Sequence, residues 1–497
     1  MLFNSLQFLI FFPIAILVYY ACPKKARYIW LLICSYYFYM SWNPEYALLI
    51  LASTVITYVG SLIIGSEGVS NKPDKKRKAV LVAVLLSNLF ILGFFKYSGL
   101  LIDSVVYVFG KIGVYLTKPT FDIILPVGIS FYTFQALSYS IDVYKGEFKP
   151  EKNFFKYALF VSFFPQLVAG PIERSKNLLG QIQKVHEIKF NIEKVYHGLL
   201  TMLWGFFLKM VIADRLSILV DGVYARFYIY GGVELLFTAL AFTIQLYCDF
   251  ASYSTIAIGA AEVLGFTLME NFDAPHLSMS IKEFWRRWHI SLSSWFKDYL
   301  YIPMGGSRVK KSRRYFNLMV TFLVSGLWHG ASWNYVIWGG IHGLYQIIGE
   351  MLMPIRNKIR SILGLEEDCA TVKVLRTAMT FLLVALALVV FRAPNMSQAI
   401  SFLKRIVMDF DPWILFTGGV YELGLDRPEM NIAFCAVALM VVADVIKYKK
   451  RITIVDAVLK KDWLFQVVSV TALLLVVFIF GVYGPAFDAQ AFIYFQF

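Results

Sequence analysis

This sequence predicts an all-α integral membrane protein with many crossings, and three observations point there. Of its 497 residues, 59% are apolar and only 16% charged, against roughly 45–50% and about 25% in a soluble domain. Mean hydropathy is +0.63, and the apolar runs recur from end to end, so one membrane-embedded domain over 1–497 fits better than several soluble ones. The net charge of +14 sits in short gaps between the apolar runs, as the positive-inside rule requires. It therefore marks topology, and no nucleic-acid partner is implied. Aromatic residues at 17% exclude disorder.

A crossing helix needs about 20 mainly apolar residues to span a ~30 Å hydrocarbon core. Candidate spans lie near 5–21, 28–43, 45–65, 78–96, 98–117, 121–142 and 154–172. Others lie near 193–213, 232–262, 315–328, 332–353, 372–392, 430–446 and 463–483. Some are short or glycine-broken, which brings the expectation to about ten to fourteen crossings. The first run, Met1 to Tyr20, has no basic flank before it and reads as a retained span rather than a cleaved signal peptide. Lys24, Lys25 and Arg27 follow the first span, and Lys72, Lys75, Lys76, Arg77 and Lys78 follow the third. Both loops then face the cytoplasm, with the N-terminus outside. The clusters Arg308 to Arg314 and Lys447 to Arg451, with Lys460 and Lys461, are expected on the cytoplasmic side too. The five cysteines show no CxxC and no regular spacing, so neither a disulfide framework nor a zinc site is implied.

The chemistry is concentrated in 280–345. Its first part runs Lys282-Glu283-Phe284-Trp285-Arg286-Arg287-Trp288-His289-Ile290-Ser291-Leu292. Read as one helix, it places Trp285, Trp288, His289, Leu292 and Phe296 on a single face, with Lys282, Arg286, Ser293 and Lys297 beside them. That is too charged to span lipid and predicts an amphipathic helix at the interface or re-entering the protein. The second part, Tyr315 to Tyr345, carries no formally charged residue but holds His329 and His342. A helix starting at the basic loop puts His329 about 22 Å along its axis, where an ionisable group is a functional-site candidate by default. His342, 13 residues later, falls about 220° round an unbroken helix and need not share that face.

A deep histidine suits several chemistries unequally. The three histidines have no close carboxylate and make a poor metal set; no metal is expected. Ion or proton transport would favour intramembrane carboxylates such as Asp103, Asp142 and Asp249. Acyl transfer fits better, because neutral imidazole can take the hydroxyl proton of an acceptor as it attacks a thioester. No Gly-x-Ser-x-Gly elbow offers a serine nucleophile, so direct transfer is the simpler route.

These residues resemble the membrane-bound O-acyltransferases, in particular the branch that contains the alginate O-acetyltransferase membrane subunit. The resembling motifs are Leu125 to Phe131, Phe164 to Ile172, Phe284 to Ser293, Leu327 to Ala331 and the terminal Phe492 to Phe497. The resemblance implies a ring of tilted helices around a thin centre, with funnels from the two faces meeting at an acyl-transfer tunnel. It implies His329 as the catalytic histidine and His289 as a second one that positions the donor. It also implies that Arg286, Arg287 and Trp288 lie where coenzyme A would bind, although Arg and Lys there equally suit anionic lipid. The donor would be acetyl-CoA or another acyl thioester, a substrate rather than a bound cofactor. The acceptor would be a cell-surface polysaccharide, often with a secreted partner of the SGNH-hydrolase type. The expected place is the plasma membrane, within the lipid bilayer. Three other readings stay open: D-alanyl transfer to teichoic acid from a carrier-protein thioester, a flippase for a lipid-linked sugar, and a non-catalytic scaffold.

Overall fold

Every regular element among the described residues is helical, because a chain in hydrocarbon must satisfy its backbone hydrogen bonds within each segment. The computed structural model describes residues 1–66, 75–117, 125–364, 366 and 369–483. The terminal motif Phe492 to Phe497 lies outside them. The chain divides into two compact units, 1–202 with 256–269, and 203–255 with 270–497.

The first unit holds α1 (Leu6–Ala21), α2 (Arg27–Met40), α3 (Tyr46–Ser66), α4 (Lys75–Lys111), α5 (Ile129–Tyr144), α6 (Phe154–Ser162), α7 (Gly180–Gln183) and most of α8 (Ile192–Phe206). Hydroxyl and amide pairs join its helices. Ser53 donates to Asn88 at 2.6 Å, Ser61 pairs with Ser140 at 3.0 Å and Tyr157 donates to Thr57 at 2.7 Å. In a membrane such contacts, with close packing, take the place of the hydrophobic drive. The spans expected at 78–96 and 98–117 are one continuous helix, α4, whose 37 residues extend about 55 Å. No proline interrupts it, and the polar residues near its middle, Lys96 and Ser98, do not break the backbone ladder. The span expected at 154–172 is also shorter than read: α6 stops at Ser162, before Pro165. The loop that follows is held by Gln166, which donates to Gln135 at 2.9 Å, and by buried Glu173. That carboxylate accepts from Asn177 at 2.7 Å and from the Met269 amide at 2.5 Å.

The second unit contains α9 (Asp214–Ala225), the greater part of α10 (Gly232–Val263), α11 (Ile281–Arg287), α12 (Ile290–Phe296), α13 (Lys311–His329) and α14 (Trp333–Met351). It continues with α15 (Met353–Ile362), α16 (Ala370–Arg392), α17 (Met396–Met408), α18 (Ile414–Thr417), α19 (Arg427–Lys450), α20 (Ile454–Leu459) and α21 (Trp463–Phe480). Across the described residues six helices are long and apolar enough to cross a membrane: α3, α4, α10, α16, α19 and α21.

Helices α13 and α14 form an antiparallel hairpin turning at Gly330–Ser332. Its seam is glycine. A Cβ on Gly326 would sit 2.2 Å from the Tyr335 carbonyl oxygen, and one on Gly339 would sit 2.2 Å from that of Phe322. The two backbones therefore touch, which only glycine allows. Ser332 caps α14 through the Asn334 amide, and the Asn334 side chain donates to the Ala393 carbonyl at 2.7 Å, tying the turn to the end of α16.

Candidate active site

The helix expected through 282–297 is broken in the structure. Helix α11 ends at Arg287, and His289 adopts φ +44° before α12 begins at Ile290. A left-handed conformation at a residue with a Cβ costs of order 1–3 kcal/mol and persists only when its surroundings over-determine it. Here Asn271 does so. Its carbonyl accepts from the Ile290 amide at 2.9 Å. Its side-chain Oδ1 accepts from the Ser291 amide at 3.2 Å and from the Ser291 hydroxyl at 2.9 Å. Asn271 Nδ2 in turn donates to Ser254 of α10 at 3.1 Å.

This network also fixes the protonation of His289. A backbone N–H only donates, so the Ser291 amide identifies the amide atom facing it as oxygen. His289 Nδ1 lies 3.2 Å from that same oxygen and must donate to it. The neutral ring therefore keeps its lone pair on Nε2. Fully buried, the ring packs edge-on against Phe250 at 4.6 Å and lies 5.8 Å from Trp328 and 6.5 Å from His329, centroid to centroid.

His329 is the last residue of α13, 3% exposed. Trp338 and Trp328 stand nearly perpendicular to its ring, each at 5.1 Å, and Phe391 lies 5.7 Å away. His329, Trp338 and Phe391, with Leu246, Phe284, Trp288 and His342, line a narrow, partly open cavity completed by Val384 and Leu388 of α16. Its walls are mostly carbon, and the imidazoles of His329 and His342 are its titratable groups.

His342 lines this cavity too, a point that helical phase leaves open. The turn at Gly330–Ser332 reverses the chain, so helical phase does not carry from one histidine to the other. Its Nδ1 lies 3.2 Å from Trp285 Nε1. Asn271 does not stand out in the sequence as a site residue, and His342 does so only as the second histidine of the uncharged run. Only the hairpin and the break at His289 bring them in.

The two arginines at the end of α11 part ways. Arg287 is buried and engaged by its own unit: Asp273 at 2.9 Å, Glu283 at 3.0 Å, and the Tyr448 ring 4.7 Å from the guanidinium carbon. Asp273 also pairs with Arg451 at 3.0 Å. Arg286 is exposed, as are Arg308, Lys310, Lys311 and Arg313. Trp288 lines the cavity and stacks on Phe284 at 5.3 Å. Among the carboxylates a transport reading would use, Asp249 is ion-paired with Lys209 at 2.5 Å, and Lys209 also holds Asp214 at 2.8 Å. Asp142 accepts from Ser175 at 3.1 Å, and Asp103 is exposed. No group of three or more His, Cys, Asp or Glu gathers as metal ligands among the described residues.

Comparison with known proteins settles the family. Residues 151–362 match the profile of MBOAT, the membrane-bound O-acyltransferase family. A probable alginate O-acetylase AlgI of Pseudomonas putida is 36% identical over 508 residues, covering 100% of each chain. This chain belongs to the membrane-bound O-acyltransferase family. Two further relatives differ in the acceptor that their names state. A peptidoglycan O-acetyltransferase of Helicobacter pylori is 33% identical, over 82% of this chain and 80% of its own. A teichoic acid D-alanyltransferase of Streptococcus thermophilus is 30% identical over 53% of this chain and 68% of its own. The chain is a multi-pass membrane acyltransferase.

Proposed function

We propose that this protein transfers an acetyl group from a cytoplasmic thioester, acetyl-CoA, to a hydroxyl of an extracellular or cell-wall polysaccharide, directly or through a secreted partner of the SGNH-hydrolase type. The observation that carries the reading is His329 at the end of α13, walled by aromatic rings in a carbon-lined cavity. Relatives named as O-acetylases or O-acetyltransferases match over most of this chain, which supports acetyl as the group moved.

In its neutral form, His329 takes the proton of the acceptor hydroxyl while the acceptor oxygen attacks the thioester carbonyl carbon. The tetrahedral adduct collapses, the C–S bond breaks, and the thiolate leaves with the proton returned from His329. His289, locked by Asn271, holds the donor in register or steadies developing charge. Arg286 and the exposed basic loop at 308–313 receive the coenzyme A phosphates, with this face cytoplasmic and the N-terminus outside. Arg287 and Trp288 shape the entrance: the arginine fixes the end of α11, and the indole contributes cavity wall.

Purified full-length chain in lipid vesicles, supplied with acetyl-labelled acetyl-CoA and an unacetylated polysaccharide, should release coenzyme A and place alkali-labile label on the polymer. Release only from a D-alanyl carrier-protein thioester would replace acetyl with D-alanine. No label from either donor would remove the enzymatic reading.

A further inference from the structure

The proposed base, His329, accounts for the proton but not for the charge that develops on the carbonyl oxygen. A second histidine is placed to meet it. Trp285 Nε1 carries a hydrogen and no lone pair, so it only donates. It lies 3.2 Å from His342 Nδ1, which must therefore accept. A neutral His342 thus carries its hydrogen on Nε2. Trp285 is itself held, with the Phe322 ring at 5.3 Å and the Trp338 ring at 5.7 Å, so the indole keeps the imidazole in this tautomer.

The other side of the ring faces carbon. Trp338 packs at 4.9 Å, and Phe284 lies nearly parallel at 6.5 Å. His342 is 1% exposed and lines the cavity that His329 also lines. No described residue accepts from its Nε2–H. A ligand oxygen in the cavity would complete it.

We propose that His342 Nε2–H donates to the carbonyl oxygen of the acyl thioester and stabilises the oxyanion. This rests on the acyltransferase reading above and divides its labour between two imidazoles. A ring whose Nδ1 is occupied by an indole and whose Nε2 bears hydrogen cannot take the hydroxyl proton; it can only donate. As the acceptor oxygen bonds to the carbonyl carbon, the C=O π electrons move onto oxygen and the hydrogen bond from His342 shortens. When the C–S bond breaks, those electrons return, the ester carbonyl forms, and His342 ends with the proton it started with. A donor already aimed at this oxygen acts more strongly in the transition state than in the ground state.

The test compares wild type, His329→Ala, His342→Ala, His342→Gln and Trp285→Phe as purified full-length protein in vesicles, with acetyl-CoA and the polysaccharide. His342→Ala should lower kcat by about 10²–10³-fold, with KM for acetyl-CoA changed less than about threefold. His342→Gln, which retains a side-chain N–H donor, should recover at least about tenfold of that loss. Trp285→Phe should lower kcat by a smaller factor, because the tautomer is released while the donor remains. A folded His342→Ala protein with kcat within twofold of wild type overturns the proposal. So does a loss in both His342 variants that tracks a loss of monodisperse protein, since that marks packing alone. Full activity in His329→Ala would instead sink the underlying reading. Inactive His329→Ala beside fully active His342→Ala would sink only the role of His342.

Discussion

The side chain that organises this site most economically is Asn271, which touches the chain on both sides of His289 and reaches Ser254 of α10. Asn271→Ala removes the acceptor for His289 Nδ1 and for Ser291 together. We expect kcat to fall between about ten- and a hundredfold, the scale of a misplacement near 1 Å, as read by acetyl transfer at matched protein. Unchanged kcat would show that the left-handed turn holds His289 without the amide. The two arginines beside it separate stability from binding. Arg287→Ala takes a buried partner from Glu283 and Asp273, although Asp273 keeps Arg451, and should lower the unfolding temperature in detergent. Arg286→Ala should leave that temperature unchanged and raise KM for acetyl-CoA. At this scale the sequence is only partly legible. His329 stands out because it lies in the middle of a long uncharged run, and depth alone makes it unusual. The role of Asn271 is invisible, since its contacts are made across 18 and 20 positions by a turn that no glycine or proline announces. Arg286 and Arg287 look alike as letters; only burial distinguishes them.

Among the elements, the α13–α14 hairpin sets the cavity, because it carries His329 at one end of the first helix and His342 midway along the second. Its glycine seam should be intolerant of bulk. Gly326→Leu or Gly339→Leu would force the backbones apart, costing at least about 1–3 kcal/mol and disturbing the distance between the two imidazoles. Thermal unfolding and kcat should fall together in these variants. Normal behaviour of both would contradict the close contact. Most long helices were readable from hydropathy, including α3, α10, α16, α19 and α21, because lipid demands the same length and composition everywhere. Where the reading failed, the reason is local. Hydropathy cannot tell one helix of 37 residues from two, and so α4 was divided. It also cannot see that Pro165 ends α6, or that the chain at His289 leaves the helix with no breaker in the sequence.

For the whole molecule, the proposed orientation rests on the basic loops. With the five native cysteines replaced, a single cysteine at Ser312 should resist a membrane-impermeant maleimide in intact cells and label after permeabilisation. Labelling in intact cells would place the basic loop outside and turn the proposed donor route around. The same scale separates an enzyme from a transporter. Asp249 is committed to Lys209, so Asp249→Asn should be felt first in stability, by loss of a buried ion pair. The central claim is that His329 makes an ester. The most direct measurement is alkali-labile acetate on the surface polymer of a deletion strain, restored with wild type or with His329→Ala at equal membrane abundance. The account predicts acetate with wild type and its collapse with the variant. Equal acetate in the two, above the deletion strain, would contradict it and leave the chain a scaffold or a transporter.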